Sequence, residues 1–425
     1  MKANWWNGAL EAGFTPAKDP NSGDSIGIAW YTTSVDFHNR TRSDARIVHY
    51  DRVSARKNYH ILAENTVSKV IFKGKKATGV EFIPFAGGNA TQVTASKEVL
   101  IAAGGVNSPK ILQLSGIGPR SLLEKYGIGV VSDLPGVGAN FHDTPHVNIP
   151  YNVTNNIVPN TNTLDTNATY DAEQHALYES SRQGAYTILR SLSTTLGMYT
   201  LCDATSDCSS IIAKAEAADP ATYLPKDSDP TVIAGYTAQR KAILDQLKGD
   251  KVPAALVTWG SGNETVLFMA KPLSRGYVAI SSVDPLANPI IDYGSMLDPV
   301  DFDVLIATFL KNRDIMQAPS MKVLGAHEAP PVGDDIVDHD ALREALKKIL
   351  TPTTGHECCT AAMAPLKHGG VVNTNMEVHG VQGLRVIDIS TLPMLVATPP
   401  APTIYGIAEK ISDAIKKKYC FAGSC

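Results

Sequence analysis

The sequence predicts a mixed α/β (α+β) protein with a compact β region, a separate antiparallel sheet and long helices. Three observations carry that reading: strand-like runs between Tyr59 and Ala103, alternating runs between Ala255 and Ser282, and long helical patterns at 299–316 and 402–418. Strands have a side-chain period of two and helices one near 3.6, so the two kinds of run are separable by pattern.

The first region contains four candidate strands, His60–Ala63, Val67–Phe72, Thr78–Ile83 and Val99–Ala103, rich in β-branched residues and broken by Lys-Gly-Lys and Gly-Gly turns. A helix is expected over Ser108–Ser115, opened by Ser-Pro and stopped by Gly116-Ile117-Gly118-Pro119, and another over Arg120–Tyr126. From Asn152 to about Pro253 the chain is polar, with helical patches such as Gln239–Leu247, and is expected to hold variable loops or a substrate lid. Ala255–Thr258, Thr265–Ala270 and Tyr277–Ser281 then predict neighbouring antiparallel strands. In the helix at Pro299–Met316, Phe302, Val304, Leu305, Phe309 and Leu310 fit one buried stripe. A strand at Leu384–Ile389 and a helix at Pro402–Lys418, with lysines at its dipole-favoured end, close the pattern. No internal repeat or low-complexity tract occurs.

Composition narrows the function. A chain of 425 residues with 44% hydrophobic and 19% charged residues can bury a large core and lies far from a disordered profile. A net charge of -4 offers no basic surface for a phosphate backbone, so nucleic acid is not an expected partner. No apolar run reaches membrane-spanning length, so a membrane is not one either. Met1 to Gly8 lacks the apolar stretch of a secretory signal, yet Asn-x-Ser/Thr sequons at Asn39, Asn89, Asn152, Asn167 and Asn263 favour a secreted glycoprotein. Cys202 with Cys208, and Cys420 with Cys425, could each close a small disulfide or remain thiols. The adjacent Cys358 and Cys359 are expected to be two thiols, because a bond between neighbours closes a tight ring. No cysteine or histidine spacing points to a metal; Pro145 spoils the helical spacing of His142 and His146.

One stretch is more specific: Gly104-Gly105-Val106-Asn107-Ser108-Pro109-Lys110-Ile111-Leu112-Gln113-Leu114-Ser115-Gly116-Ile117-Gly118. It resembles the second signature of the glucose-methanol-choline (GMC) oxidoreductases, apart from Gly105, where a small residue such as Ala or Ser is usual. Further pieces follow in the family's order: Gly23-Asp24 with Asn39 to Ser43, Leu134 to Asn140, Ser274-Arg275-Gly276 with Asp284-Pro285, and Gly380 to Asp388. The resemblance covers essentially the whole chain, most weakly between Asn155 and Pro253. It implies an FAD-binding domain woven from several stretches, a substrate domain whose antiparallel sheet covers the flavin ring, and oxidation of a small-molecule alcohol with a histidine base. On that basis the segments are 1–56 as a connecting segment, 57–140 as part of the FAD-binding domain, 141–350 as the substrate-binding domain with a variable insertion at 155–253, and 351–425 as the catalytic loop and closing strand and helix.

The resemblance also assigns residues. His356, in Thr353-Thr354-Gly355-His356-Glu357-Cys358-Cys359, falls at the catalytic histidine, and imidazole, with an ordinary pKa of about 6.5, suits general-base work. Cys359 stands where the family has Gly and Ala361 where it commonly has Cys. The family's second polar partner maps to Pro399, which has no side-chain donor or acceptor, leaving Thr398 as a neighbouring hydroxyl and His327, His339, His368 and His379 as substitutes. At the family's Asp-His-Pro, Thr144 replaces the histidine. For FAD the pattern points to Val67, Ala102, Gly104, Asp388, Ile389 and Pro400, of which Asp388 is the informative type; it equally suits capping a loop.

No Gly-x-Gly-x-x-Gly turn occurs. The sequence is therefore expected to correspond to the carboxy-terminal two-thirds of a member, without the amino-terminal segment that grips the ADP half of FAD, or with that segment supplied by another chain. A GMC fold retooled for cyclase or dehydratase chemistry with His356 as acid/base, and an inactive binding remnant, remain as other readings.

Overall fold

The protein is described by a computed structural model covering residues 2–160, 162–187, 195–260 and 263–419. Its centre is an antiparallel sheet in the order Gly27–Trp30, Thr195–Tyr199, Ala255–Trp259, Glu264–Met269, His146–Val153 and Ala326–Glu328, with Leu350–Thr351 also paired to His146–Val153. Thr195–Tyr199 and Ala255–Trp259 are buried at every position, as expected of strands covered on both faces.

The period of two divides those faces. Tyr199, Val257 and Trp259 join the main core, together with Trp5, Phe309 and Leu305. Leu196, Met198 and Leu256 point the other way and cluster with Ala270, Phe268 and Tyr31. On the core side lies the helix Pro299–Met316, whose first turn is capped by the Asp298 carboxylate accepting from Val300 N–H at 3.1 Å, with Pro299 at a position where no N–H is needed. This helix is buried on nearly all sides rather than along one stripe, for Asp301, Thr308, Asn312 and Arg313 are buried too. Each has partners: Asp301 accepts from Leu273 and Ser274 N–H, Asn312 donates to Tyr151 Oη and Thr265 Oγ1, and Arg313 pairs with Glu328.

A second, smaller core packs Val70, Ile101, Leu112, Val386 and Ile411. Here Val99–Ile101 pairs in parallel with Leu384–Val386, beside the helices Gly104–Leu114 and Ala401–Tyr419 and the three-stranded meander Asn65–Lys73, Lys76–Pro84 and Thr91–Thr94.

Several elements depart from the sequence expectation. The polar stretch 155–253 is not a set of loops: it contains Thr195–Tyr199, an inner strand of the sheet, and the helices Ala168–Ser181, Cys208–Ala217 and Pro230–Leu247. Asn167 and Asp229 cap two of them with side-chain oxygens, which is why polar residues flank buried segments. Tyr277–Ala279 pairs with Ile290–Asp292 outside the main sheet, and His60–Ala63 is not a strand. The helix expected from Ser108 begins at Gly104, with Pro109 inside it. Cys202 and Cys208 are joined. Cys358 and Cys359 are also joined and completely buried, against the expectation of two thiols, at a point where the backbone turns through φ +75° at Cys359. The second outer pair, Cys420 and Cys425, lies outside the described residues. Of the sequon asparagines, Asn39, Asn89, Asn152 and Asn167 are exposed and Asn263 is half-buried. No helix among the described residues is long and apolar enough to cross a membrane.

The Arg313–Glu328 pair joins the central helix to the sheet edge in two bonds of 2.7 and 2.8 Å, with both side chains buried. Removing one partner strands a buried charge, so Glu328→Ala is expected to cost about 3–5 kcal/mol in urea denaturation, whereas Arg313→Met with Glu328→Leu costs much less.

Candidate active site

On the sheet face opposite the core lies a cavity of about 170 Å³ lined by Tyr31, Thr195, Leu196, Leu256, Thr258, Phe268, Ala270, Thr144, Thr354, His356, Val396, Thr398 and Pro399. The alternation that sends Tyr199 and Val257 into the core sends Leu196 and Leu256 here, so the sheet supplies an apolar wall. The opposite wall is built by the loop carrying His356 and by residues 396–399, which precede the helix Ala401–Tyr419.

His356 is held by segment 142–144. Cys358 and His142 exchange both backbone hydrogen bonds, at 3.0 and 3.2 Å. One residue along from His142, Asp143 Oδ1 accepts the N–H groups of Thr144 at 2.6 Å and of Thr354 and His356 at 3.2 Å each. The imidazole Nδ1 lies 3.0 Å from both Thr354 Oγ1 and Thr144 Oγ1. A neutral imidazole can accept at one nitrogen and carry its proton on the other, or the reverse, and two hydroxyls at Nδ1 serve either state there. Nε2 has no hydrogen-bond partner among the described residues, which leaves it for a ligand in the cavity.

Burial lowers the His356 pKa below its ordinary value; the Asp143 carboxylate opposes that shift and His146 reinforces it. His146 is lowered by burial too, and His142, bonded to Asn140 Oδ1 at 3.1 Å, lies well below the ordinary range because of burial and the charges of Arg275 and Lys271. The group is therefore an imidazole kept neutral, able to accept a proton.

The second position expected from the sequence, Pro399, does line the same cavity, with Thr398 beside it. The substitutes do not: His327 is bonded to Asp334, His379 to the Ala364 carbonyl, and His339 and His368 lie outside the cavity lining. Thr144, which replaces a histidine, and Thr354 are hydrogen-bonded to the His356 ring, and neither was assigned a role from the sequence. Asp143 was also missed, because its work is done on backbone N–H groups that no sequence motif displays.

Of the residues assigned to FAD, Ala102, Gly104, Asp388 and Ile389 fall around the start of the helix Gly104–Leu114. Asp388 is buried and both carboxylate oxygens are in use: Oδ2 accepts from Gly104 N–H at 3.0 Å and Ser108 Oγ at 2.5 Å, and Oδ1 from Ser390 N–H and Oγ. It is the clasp that starts this helix at Gly104, four residues ahead of the expected start. Ile389 C=O accepts from Cys359 N–H, which ties the same clasp to the His356 loop. Ala102 is exposed; Gly104 has φ +83°, and a Cβ there would meet nothing within 4 Å, so its backbone is open to an incoming group. Pro400 is buried, its carbonyl accepting from Ile404 N–H in the closing helix. Val67 stands apart in the bonding: its strand is tied to the other end of the helix Gly104–Leu114, where Val70 N–H binds Ser115 Oγ. No group of three or more metal-ligating side chains occurs among the described residues.

A sheet that walls an apolar cavity on one face, a neutral histidine in that cavity and a glycine-started helix behind it define an α/β enzyme-like site with an adjoining backbone ledge. Two family models described as GMC oxidoreductase match the chain, over residues 2–146 and 272–408. A dehydrogenase of Emericella nidulans, xptC, is 41% identical over 99% of this chain and 68% of its own length. A dehydrogenase of Armillaria gallica is 33% identical over 96% of this chain and 65% of its own. Among solved structures, an FAD-dependent oxidoreductase from Chaetomium thermophilum has 51% identity and a TM-score of 0.97, over 99% of this chain and 72% of that one. A fungal aryl-alcohol oxidase has 33% identity and a TM-score of 0.93, over 99% and 71%.

The chain belongs to the GMC oxidoreductase family. Because the amino-terminal family model is matched from residue 2, the expectation of a chain without the family's amino-terminal segment is not supported, and nothing in these comparisons supports a complementing chain.

The structure also accounts for Gly105. A Cβ there would stand 2.1 Å from the Glu357 carbonyl oxygen and 3.0 Å from Cys358 N, so the helix and the His356 loop touch backbone to backbone. Gly105→Ala is expected to push that loop away, costing about 1–3 kcal/mol of stability. A lowered urea midpoint accompanied by loss of turnover would show both effects; wild-type values would remove this explanation of the glycine.

Proposed function

We propose that the protein oxidises an apolar, aryl-type alcohol with FAD as cofactor, His356 acting as the base. One observation carries the reading: a neutral imidazole in an apolar cavity, held at Nδ1 by two threonine hydroxyls and without a partner at Nε2 among the described residues. The names of the relatives, an FAD-dependent oxidoreductase and an aryl-alcohol oxidase among them, support the cofactor and the substrate class.

The residues present fit FAD by their backbone rather than by charged side chains. The open Gly104 and exposed Ala102 offer an approach to the helix start, while Asp388 shapes that start from behind. When bound, the flavin supplies the hydride acceptor for the carbinol carbon. The chain's own work is the rest. Tyr31, Leu196, Leu256 and Phe268 hold the apolar body of the alcohol and exclude water. His356 Nε2 receives the hydroxyl proton, and Thr144 and Thr354 keep the ring from rotating away. Pro399 shapes the far wall without taking part in proton transfer, and Thr398 is the hydroxyl available beside it.

A positioned base contributes about 10²–10⁴-fold, so His356→Ala should lower kcat for 4-methoxybenzyl alcohol by at least about a hundredfold while the flavin absorbance of the purified protein is unchanged. Turnover that survives this substitution, or product formed with no change in flavin oxidation state, would count against the proposal and favour the non-redox reading.

The pH dependence has a definite sign. The base works when neutral, so kcat/KM is present above the His356 pKa and lost as pH falls through it, at a value below the ordinary 6.5. The Asp143 charge raises that pKa, and Asp143→Asn retains an acceptor oxygen for the three amides. The acid limb of kcat/KM should therefore move to still lower pH in Asp143→Asn; a limb displaced upward would show that the carboxylate does not act on His356 as its charge requires.

A further inference from the structure

We propose that the Cys358–Cys359 disulfide is a positioning unit for His356, holding residue 359 in a left-handed backbone turn so that the loop carrying His356 stays in place against Asp143 and Thr144. The inference rests on the reading of His356 as the base.

Cys359 has φ +75°, a conformation in which a residue with a Cβ is strained and glycine is not. The turn cannot be relaxed cheaply, because the backbone on both sides is committed. Before it, Cys358 exchanges both hydrogen bonds with His142. After it, Cys359 N–H donates to Ile389 C=O, Ala361 N–H to Ser390 C=O, and Thr360 C=O accepts from Gly138 N–H. The Cys359 carbonyl accepts from Asn140 Nδ2. The chain thus passes from one set of partners to another through a single residue, and the turn at that residue sets where the preceding loop lies.

A bond between the two sulfurs closes a ring across the 358–359 peptide and removes the extended alternatives that residue 359 would otherwise prefer. Both cysteines are completely buried, in an apolar cluster with Leu392 and Leu395, so the sulfurs face no solvent. Their role is mechanical. Along the same pair of segments, His356 N–H binds Asp143 Oδ1 and its ring meets Thr144 Oγ1, two residues from the ring. A shift of the Cys358–His142 pairing is transmitted directly to those contacts.

The constraint predicts an unusual substitution pattern: glycine at 359 replaces the disulfide, and alanine does not. The test compares purified Cys359→Ala, Cys359→Gly and wild-type protein, with His356→Ala to assign the His356 resonance in histidine-labelled samples. In wild-type protein and Cys359→Gly the His356 imidazole should titrate below 6.5, set by burial, Asp143 and His146. In Cys359→Ala it should move toward 6.5 as the ring loosens into water. With 4-methoxybenzyl alcohol, Cys359→Ala should lose at least about tenfold in kcat with KM within about threefold, and Cys359→Gly should stay within about threefold of wild type. A Cys359→Ala protein that fails to fold beside a folded, active Cys359→Gly supports the same backbone constraint. Mass spectrometry of wild-type protein alkylated after unfolding without reductant should find the 358–359 peptide unmodified and short of two hydrogens. Two alkylated thiols there, or alanine and glycine variants with the same imidazole titration, overturn the proposal. The titration needs no substrate, so it stands apart from a failure of the base reading, which surviving turnover in His356→Ala would reveal.

Discussion

The carboxylate of Asp143 organises the site. It is 5% exposed, and through Oδ1 it accepts from the amides of Thr144, Thr354 and His356, while Oδ2 has no hydrogen-bond partner among the described residues. A buried ionised oxygen is costly unless donors converge on it, and here the donors come from two segments more than two hundred residues apart. The charge therefore fastens the His356 loop to the segment entering the sheet. It also acts on the imidazole it has positioned, in opposition to burial. Burial is the larger effect, and the histidine stays neutral.

The sheet makes that arrangement useful. Because successive side chains on Thr195–Tyr199 and Ala255–Trp259 face opposite ways, the residues that pack on the central helix fix the orientation of those that wall the cavity. Gly197 shows how tight the core side is: a Cβ there would stand 3.2 Å from Val257 Cγ1 and 3.4 Å from rings of Phe14 and Trp5. The central helix in turn is tied to the sheet, since its buried Asn312 Nδ2 donates to Tyr151 and Thr265 and its Arg313 pairs with Glu328. Stability on one face and shape on the other come from one set of strands.

What could be read from the sequence was whatever is local. The motif at 104–118, the helix at 299–316 and the strands at 255–269 declare themselves in contiguous residues, and His356, singled out by the resemblance of its contiguous context, lines the cavity. What could not be read depends on distant partners. Asp388 starts the helix at Gly104 from 284 positions away, so local cap signals favoured Ser108 instead. The strand Thr195–Tyr199 was hidden because its neighbours in sequence are polar, although its neighbours in space are not. Thr144 looked like a mere replacement for a histidine until its hydroxyl was seen at 3.0 Å from His356 Nδ1. The adjacent cysteines were misjudged for the same reason, since the turn that brings their sulfurs together is imposed by hydrogen bonds to residues 138–142 and 389–390.

Two of the departures from the family pattern, Gly105 and Cys359, are physically connected. Pro109 has no N–H, so the Gly105 carbonyl four residues earlier has no helical donor, and it accepts Thr360 Oγ1 at 2.6 Å instead. That bond draws the loop after the disulfide onto the helix. The contact is close enough that Gly105 can carry no side chain against Glu357 and Cys358. With the loop held this near, the residue between Cys358 and Thr360 must turn left-handed, which glycine does freely and Cys359 does within a ring. Glycine at 105 and cysteine at 358 and 359 are thus answers to a single packing constraint, whose outcome is the position of His356.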